Sequence, residues 1–331
     1  MYYEPESKKA AFHFAAEEYI MRDIKPVGPV YLLWQTNDTV MIGANQIADI
    51  EIDKEYAISQ GIDIVRRSSG GGAIFTDAGT LLYTIILPYS EDMDPKEIEK
   101  EYFTVPVMDT LMRLGVTALP EGRNDIQVAG KKISGIAQYV KYGYLCTHGS
   151  LLFNTDMERL SRVLTVDQEK IKSKALRSVE SRVTNIIDHT RNKDIVSLKN
   201  GLIDQCNSER KEFNESDLAA IHMIMQEKYE SHDWNFGHNP PFSFHNSHRF
   251  PDGKIDIILE VRNGKVEDCR IFGDFLALRP VSVIEEAIKG SYYDRDSLLA
   301  AISEIKLTEY IGAVSKEELL DLLLGNGGLN D

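Results

Sequence analysis

Between two β-prone runs, the chain carries a glycine-rich and basic segment with the sequence Arg66-Arg67-Ser68-Ser69-Gly70-Gly71-Gly72-Ala73. Three successive glycines let a backbone approach a ligand closely and leave N–H groups to bind phosphate or carboxylate oxygens. The two arginines add cationic donors. The segment has neither the Gly-Lys-Ser/Thr of a Walker loop nor the G-x-G-x-x-G spacing. Although a glycine triplet alone favours a flexible surface turn, these neighbours predict an anion-binding loop between two strands.

A second segment combines Asn124 and Asp125 with Lys132, which lies between glycines 130 and 135. Residues 126–128 and 133–139 are β-prone and flank the turn, so a hairpin is predicted. Such a hairpin can direct one ammonium group into a pocket, with Asn124 and Asp125 orienting a ligand or a metal ion. A charged hairpin tip without a ligand is an equally good interpretation of these residues taken alone.

A third segment places Cys146 and His148 in a predicted strand at residues 145–153. A single histidine in a strand is more often structural than catalytic. A cysteine activated by a nearby base is a possible nucleophile, although small cysteines in strands usually serve only packing. Both interpretations stay open at this stage.

The N-terminal part predicts a helix and a hairpin. Residues 10–23 have apolar positions at helical spacing, and we expect Glu17 and Glu18 to face solvent. Residues 30–33 and 39–42 are short apolar runs around an Asn-Asp pair, which predicts a hairpin.

The C-terminal part predicts a separate small module. Residues 234–247 interrupt all periodicity with glycine, proline, asparagine and histidine. After them we expect a hairpin around Asn263-Gly264 and then three amphipathic helices, at residues 283–288, 295–302 and 316–324. The predicted domains are therefore residues 1–245 and 246–331.

Composition excludes several classes of protein. The 331 residues carry a formal net charge of −15, which argues against broad binding to nucleic acid or to an anionic membrane. The three cysteines form neither a disulfide framework nor a zinc pattern, and no apolar run is long enough to span a bilayer. We expect a soluble, cytoplasmic protein, and nothing in the sequence demands more than a monomer.

Taken together, the segments resemble the lipoate–protein ligase family, within the biotin and lipoate ligase superfamily. The resemblance covers most of the first 245 residues, and its specificity lies in the order and spacing of the motifs. A small C-terminal domain matches the longer members of the family. The matching segments are residues 66–74, 122–125, 132–135, 148–154 and 181–185, with Lys174 and residues 234–237.

The resemblance implies an α+β fold: a mixed β-sheet catalytic domain of the biotin/lipoate ligase type with flanking helices, plus a small α+β C-terminal domain. It implies that ATP, with Mg²⁺, activates lipoic acid to lipoyl-AMP. The lipoyl group then passes to a lysine of acceptor lipoyl domains, which belong to 2-oxoacid dehydrogenase E2 subunits, or of the glycine-cleavage H protein. Octanoate is an expected partial substitute.

The resemblance also implies residue roles. Lys132 is the catalytic lysine, placed between the carboxylate and the α-phosphate. Asp125 is the one candidate ligand for a metal ion. From their lysine-rich composition rather than from the resemblance, residues 170–185 are candidates for closing over the adenylate, and a solvated helix face is an equally good interpretation. The positions implied for binding lipoate and nucleotide are Arg66, Gly71, Gly72, Ala73, Ile74, Asn124, Asp125, Lys132 and His148.

Three alternatives remain open from the sequence. An octanoyl or lipoyl transferase of the same fold would carry the acyl group on Cys146 as a thioester, without ATP. The ligase-like C-terminal domain argues against it. A biotin ligase fits the glycine triplet and the Asn-Asp pair less well. A catalytically silent homologue is disfavoured by the intact Lys132.

Overall fold

The chain is built from fourteen strands and twelve α-helices in the part that the structure describes. That part of the computed structural model comprises residues 1–46, 48–122, 124–164, 182–236, 244–262 and 264–325. The strands are β1 Tyr2–Tyr3, β2 Val30–Trp34, β3 Thr39–Ile42, β4 Asp63–Arg66, β5 Ile74–Thr76, β6 Thr80–Pro88, β7 Leu119–Glu121, β8 Asp125–Val128, β9 Lys131–Lys141, β10 Tyr144–Leu152, β11 Arg210–Lys211, β12 Phe244–Phe250, β13 Gly253–Arg262 and β14 Lys265–Gly273. The helices are α1 Ala10–Tyr19, α2 Ala48–Glu51, α3 Lys54–Ser59, α4 Pro95–Glu99, α5 Val105–Arg113, α6 Met157–Val163, α7 Ile195–Cys206, α8 Glu215–Ile224, α9 His232–Phe236, α10 Ser282–Ile288, α11 Arg295–Ile302 and α12 Lys316–Leu324.

Two compact units divide the chain. The first contains Met1–Ile42, Ala48–Arg67 and Ala73–Asn235, and the second contains Gly43–Ile47, Ser68–Gly72 and Phe236–Asp331. The glycine triplet therefore groups with the C-terminal residues. The boundary at residues 245 and 246 stays a prediction.

The first unit is organised by an eight-stranded mixed sheet in the order β11-β1-β2-β6-β10-β9-β8-β7. One face packs against α1 and α8, and the other packs against α5 and α7. Strand β6 shows why both faces are covered, because its apolar side chains alternate between the two cores: Leu82 and Ile86 face one, and Tyr83 and Ile85 face the other. The predicted mixed sheet with flanking helices is confirmed.

The hairpin predicted at residues 30–33 and 39–42 is wrong. Strand β2 pairs with β1 and β6 in the large sheet, whereas β3 pairs with β4 and β5 in a separate three-stranded sheet. All residues of β2 and β3 are buried. A buried strand needs partners for its backbone hydrogen bonds, and these partners can be strands that are distant in the sequence. The hairpin formed by β8 and β9 is confirmed.

The prediction that Glu17 and Glu18 face solvent is also wrong, since they are 1% and 5% exposed. Helix α1 is rich in alanine, so it packs closely against its surroundings and both carboxylates are enclosed. Glu18 pairs with Lys141 and Lys228, each with an N–O distance of 2.7 Å. Paired charges of this kind make the burial of a carboxylate tolerable.

The second unit contains a three-stranded antiparallel sheet in the order β12-β13-β14. Its apolar core includes side chains from α10, α11 and α12. The hairpin of β13 and β14 and the three C-terminal helices were predicted from the sequence, and they are confirmed. No helix in the described ranges is long and apolar enough to cross a membrane.

A buried histidine makes the stability of the first unit depend on pH. The ring of His13 is fully buried and stacks on Trp34 with a centroid distance of 4.3 Å, and Nε2 lies 2.8 Å from the carbonyl oxygen of Ser7. Desolvation lowers the pKa of His13 from 6.5 to about 3. The unfolded chain therefore binds a proton below pH 6.5 that the folded chain does not bind.

We expect acidification from pH 6.5 to pH 5 to lower the free energy of unfolding by about 2 kcal/mol through His13. The loss continues down to about pH 3, where the folded state also accepts the proton. Denaturant melts of wild type and His13→Phe at both pH values measure it, and the variant should show a shallower pH slope. Replacing the exposed His222 by Gln is the matched control. Equal slopes in wild type and His13→Phe would contradict the expectation.

Candidate active site

Lys132 lies near the start of β9, just after a tight turn at Ala129 and Gly130. Both turn residues have positive φ, 51° and 74°, as expected for a two-residue hairpin turn that matches the twist of the strands. The Nζ of Lys132 lies 2.7 Å from Oδ1 of Asp125 on β8, and the two side chains are 34% and 28% exposed. The hairpin therefore holds a partly desolvated ammonium group in a defined position.

Gly135 leaves the space that the Lys132 side chain occupies. A Cβ atom at Gly135 would lie 2.8 Å from Nζ and 2.9 Å from Cε of Lys132. Residues three apart in a regular strand face opposite sides, but the register of β8 against β9 shifts between Ile126 and Gln127. The irregularity brings Lys132 over the same face as Gly135.

Asn124 braces the hairpin. Its Nδ2 donates to the carbonyl oxygen of Ile136 at 2.9 Å, and its own carbonyl oxygen accepts from the N–H of Ile136 at 2.9 Å. On the other side of the strand, the N–H of Thr184 donates to the carbonyl oxygen of Lys132 at 3.0 Å. The structure thus brings Asn124, Asp125 and Lys132 together. The side chain of Asn124 binds the backbone of β9 at Ile136.

Arg66 has a different environment. It is fully buried, its Nε donates to the carbonyl oxygen of Trp234, and its Nη2 donates to that of Asn235, both at 2.9 Å. Burial lowers its pKa to about 10. These bonds hold the guanidinium group in the protein interior. Ala73 and Ile74 are half-buried, and Ile74 begins β5.

The glycine triplet packs within the second unit. The N–H of Gly71, whose φ is 88°, donates to the carbonyl oxygen of Phe275 at 2.9 Å. A Cβ at Gly70 would lie 2.7 Å from the same oxygen, so only glycine fits there without a shift of the backbone. We expected the N–H groups of this loop to be available for an anion. In this structure the N–H of Gly71 is engaged by the carbonyl group of Phe275, and its role in binding an anion stays a prediction.

His148 lies in the middle of β10, between Thr84 of β6 and Ala137 of β9 in the strand register. Its Nδ1 lies 3.1 Å from Oε1 of Glu17. Thr84 donates to the same carboxylate at 2.8 Å, and Tyr139 donates to its other oxygen at 3.3 Å. Glu17 therefore belongs to the environment of His148.

The sequence contained a signal for Glu17 that was missed. Glu17 follows Phe14 by three residues and precedes Met21 by four, and this spacing puts all three on one helix face. Since Phe14 and Met21 are buried, the position of Glu17 on the buried face was readable from the pattern. Its acidic side chain led to the opposite expectation.

A strip of small side chains connects Lys132 with His148. Gly135 and Ala137 are partly exposed although β9 is an interior strand of the sheet, so the face above them is open. Tyr139 follows on the same face, about 13 Å along the strand from Gly135 at 3.3 Å per residue. We call Gly135, Ala137 and the face above them the β9 strip.

Cys146 lies beside Tyr139 in the strand register and is completely buried. Burial, with the nearby Glu17 carboxylate, raises the pKa of its thiol well above the ordinary value. A thiol that stays protonated in the core is a poor nucleophile. The structure therefore gives no support to a thioester on Cys146.

Comparison with known proteins assigns the chain to a family. Residues 9–207 match the family model described as the lipoyl protein ligase A/B catalytic domain, and residues 239–323 match the bacterial lipoate protein ligase C-terminus. The chain therefore belongs to the lipoate–protein ligase family.

Curated relatives agree over nearly the full length. The chain is 38% identical to lipoate-protein ligase LplJ of Bacillus subtilis (strain 168), covering 94% of this chain and 96% of the relative. It is 32% identical to lipoate–protein ligase 1 of Staphylococcus aureus (strain Mu50), covering 94% and 95%.

Solved structures share the fold. P. falciparum LipL1, in complex with lipoate, superposes with a TM-score of 0.79 over 98% of both chains at 19% identity, a likeness of fold alone. A lipoate-protein ligase A bound with ATP gives a TM-score of 0.62 at 26% identity, over 71% of this chain and 96% of that one. A bi-partite lipoate protein ligase from Thermoplasma acidophilum gives a TM-score of 0.63 at 27% identity, over 73% of this chain and 98% of that one.

Proposed function

We propose that the protein uses ATP to convert lipoic acid into lipoyl-AMP and then transfers the lipoyl group to a lysine of an acceptor lipoyl domain. Family membership, the names of the relatives, and related structures with bound ATP or lipoate support the proposal. The single observation that carries it is the Lys132 ammonium group, held by Asp125 above a glycine at the open end of the β9 strip.

In the first step a carboxylate oxygen of lipoate attacks the α-phosphorus of ATP, the P–O bond to the leaving group breaks, and pyrophosphate departs. Negative charge grows on the phosphoryl oxygens in the transition state. A fixed cation at that position stabilises the charge without reorganising, because Asp125 already orients it. We assign this role to Lys132.

In the second step the ε-amine of the acceptor lysine attacks the acyl carbonyl carbon of lipoyl-AMP. The amide bond forms, AMP leaves, and the nitrogen gives up its proton. The tetrahedral oxyanion develops at the same carbonyl, next to the phosphate that Lys132 already contacts in the first step. Lys132 therefore serves both steps, and no covalent bond to the enzyme is required.

We propose that the acyl chain of lipoate lies along the β9 strip. The carboxylate would point to Lys132 and the dithiolane ring towards His148. The small side chains of Gly135 and Ala137 leave room for an apolar chain, and the distance of about 13 Å along the strand from Gly135 to Tyr139 suits an extended eight-carbon acid that passes His148. Because Glu17 holds the ring of His148 in position, we propose that His148 lines the β9 strip.

The proposed nucleotide-binding positions are Arg66 and the segment from Gly71 to Ile74. If the N–H of Gly71 is to hold a phosphate, its hydrogen bond to Phe275 must break first. Mg²⁺ suits ATP chemistry and usually binds phosphates with few protein ligands. Since Oδ1 of Asp125 is paired with Lys132, we assign Asp125 to positioning that lysine, and its role as a metal ligand stays a prediction.

Lipoyl domains of 2-oxoacid dehydrogenase E2 subunits and the glycine-cleavage H protein are the proposed acceptors. Intact-mass spectrometry of a purified lipoyl domain, incubated with the enzyme, ATP, Mg²⁺ and lipoate, tests the proposal. We expect a mass increase of one lipoyl group, with one AMP released per acceptor. An unchanged mass with each of the two acceptor classes would contradict it.

Replacing Cys146 by Ser should leave lipoate ligation within about threefold of wild type, because a buried thiol outside the slot has no step to perform. The same acceptor-mass assay measures it, with Cys206→Ser as the matched buried-cysteine control. If Cys146→Ser abolished transfer while Cys206→Ser did not, the thioester mechanism of a transferase would replace the ligase mechanism.

A further inference from the structure

Three ligand-capable side chains converge in the core of the first unit, next to the β9 strip. The ligand atoms of Glu17, Cys146 and His148 all lie within 4.8 Å of one another. Their residues are 1%, 0% and 7% exposed. In the described part of the chain this is the single group of three or more such side chains.

The strand register explains why these side chains meet. Cys146 and His148 are two residues apart on β10, so their side chains leave the same face of the sheet. Helix α1 covers that face and brings Glu17 within 3.1 Å of the Nδ1 atom of His148. All three donors therefore sit on rigid elements rather than on loops.

The carboxylate of Glu17 is held by hydroxyl and imidazole groups rather than by a lysine or an arginine. Thr84 and Tyr139 donate hydroxyl hydrogen bonds to it, and its ion-pair contact in the described residues is with His148. The nearby lysines, Lys141 and Lys228, pair with Glu18 instead. A buried carboxylate without a fixed cation favours a bound cation at this place.

We propose that Glu17, Cys146 and His148 form a binding site for Zn²⁺ or a cation of similar chemistry. On binding, the Cys146 thiol loses its proton to solvent, and the sulfur, one imidazole nitrogen and one carboxylate oxygen become ligands. The thiolate and the carboxylate together neutralise the two positive charges. Tetrahedral zinc distances place ligand atoms roughly 3.3–3.8 Å apart, so atoms that now lie within 4.8 Å of one another must converge by about 1.5 Å at most.

The donor set separates this site from the Mg²⁺ that accompanies ATP. Thiolate and imidazole are softer ligands that favour zinc over magnesium, which prefers oxygen ligands and keeps several waters. Three protein ligands leave a fourth position for water. His148 is the most exposed of the three ligands, at 7%, and it lies beside Ala137 of the β9 strip, which gives an entry path.

Co²⁺ added to the purified full-length protein is the direct test, because a Co²⁺–thiolate bond gives a charge-transfer absorption band. We expect one Co²⁺ per chain with that band, its loss on adding stoichiometric Zn²⁺, and no change with excess Mg²⁺. The band should be absent in Cys146→Ser and present in the matched controls Cys206→Ser and Cys269→Ser, which alter the other two buried cysteines.

A second variant guards against loss of fold. Cys146→Ala should keep the wild-type circular dichroism spectrum and melting temperature within a few degrees while weakening Zn²⁺ binding at least tenfold in a chelator competition. Absence of the band in wild type would overturn the proposal. The proposal would also be overturned if the band or the Zn²⁺ affinity were unchanged in both Cys146 variants. Displacement of Co²⁺ by Mg²⁺ would overturn it as well.

Discussion

Replacing Gly135 by alanine is expected to lower the rate of lipoate activation about 100-fold while leaving the fold intact. The new methyl group would stand 2.8 Å from the Nζ atom of Lys132 and must displace it. The end of a lysine side chain moves easily, so the substitution costs little stability. A catalytic group displaced by about 1 Å can nevertheless lose roughly two orders of magnitude in rate.

The rate of ATP–pyrophosphate exchange with lipoate measures the effect, and thermal melting checks the fold. Gly28→Ala is the matched control, because a Cβ there meets nothing within 4 Å and the backbone φ is not in the left-handed region. We expect both variants to melt within a few degrees of wild type. Full activity in Gly135→Ala would show that the observed position of Lys132 is not the working one.

Replacing Lys132 by alanine should lower the same exchange rate about 100- to 1,000-fold, the usual effect of removing one donor that stabilises developing negative charge. The neighbouring Lys131 is exposed to solvent, so Lys131→Ala removes one positive charge from the same hairpin without altering the β9 strip. That variant should retain the wild-type rate. Because the loss is expected in the transition state, kcat should fall more than the KM for lipoate changes.

An equal loss of activity in Lys131→Ala and Lys132→Ala would contradict this assignment and would favour a general effect of charge. Unfolding of Lys132→Ala would be visible in the melting temperature. That residue is only half-buried, so the fold should survive the change.

The sequence predicted those parts of the site that depend on local pattern. The β8–β9 hairpin, with Asn124, Asp125 and Lys132 together, follows from alternating apolar residues around a turn. The C-terminal hairpin and helices follow from the same kind of local signal. In each case the residues that meet are close in the chain, so no long-range pairing had to be known.

Features that depend on long-range packing were missed. Strands β2 and β3 are adjacent in the chain but belong to different sheets. Two short apolar runs do not specify which strands they pair with. The contact of Gly71 with Phe275 joins residues two hundred positions apart. The irregularity that brings Lys132 over Gly135 depends on the pairing register, which composition does not reveal.

Glu17 illustrates a different reason for failure. Its spacing placed it on the buried face of α1, but acidic residues are seldom fully buried without a partner. Its partners are Thr84 of β6, Tyr139 of β9 and His148 of β10. The hydrogen-bond partners of the buried Glu17 carboxylate could be recognised only from the three-dimensional arrangement of those strands.

We propose that this protein activates lipoate as an adenylate. The most direct measurement is ATP–pyrophosphate exchange with the wild-type protein, labelled pyrophosphate and Mg²⁺, with lipoate, octanoate, biotin or no acid added. We expect rapid exchange with lipoate, weaker exchange with octanoate, and none with biotin or without an acid. Exchange that depends on biotin, or lipoyl transfer to the acceptor without any lipoate-dependent exchange, would contradict it.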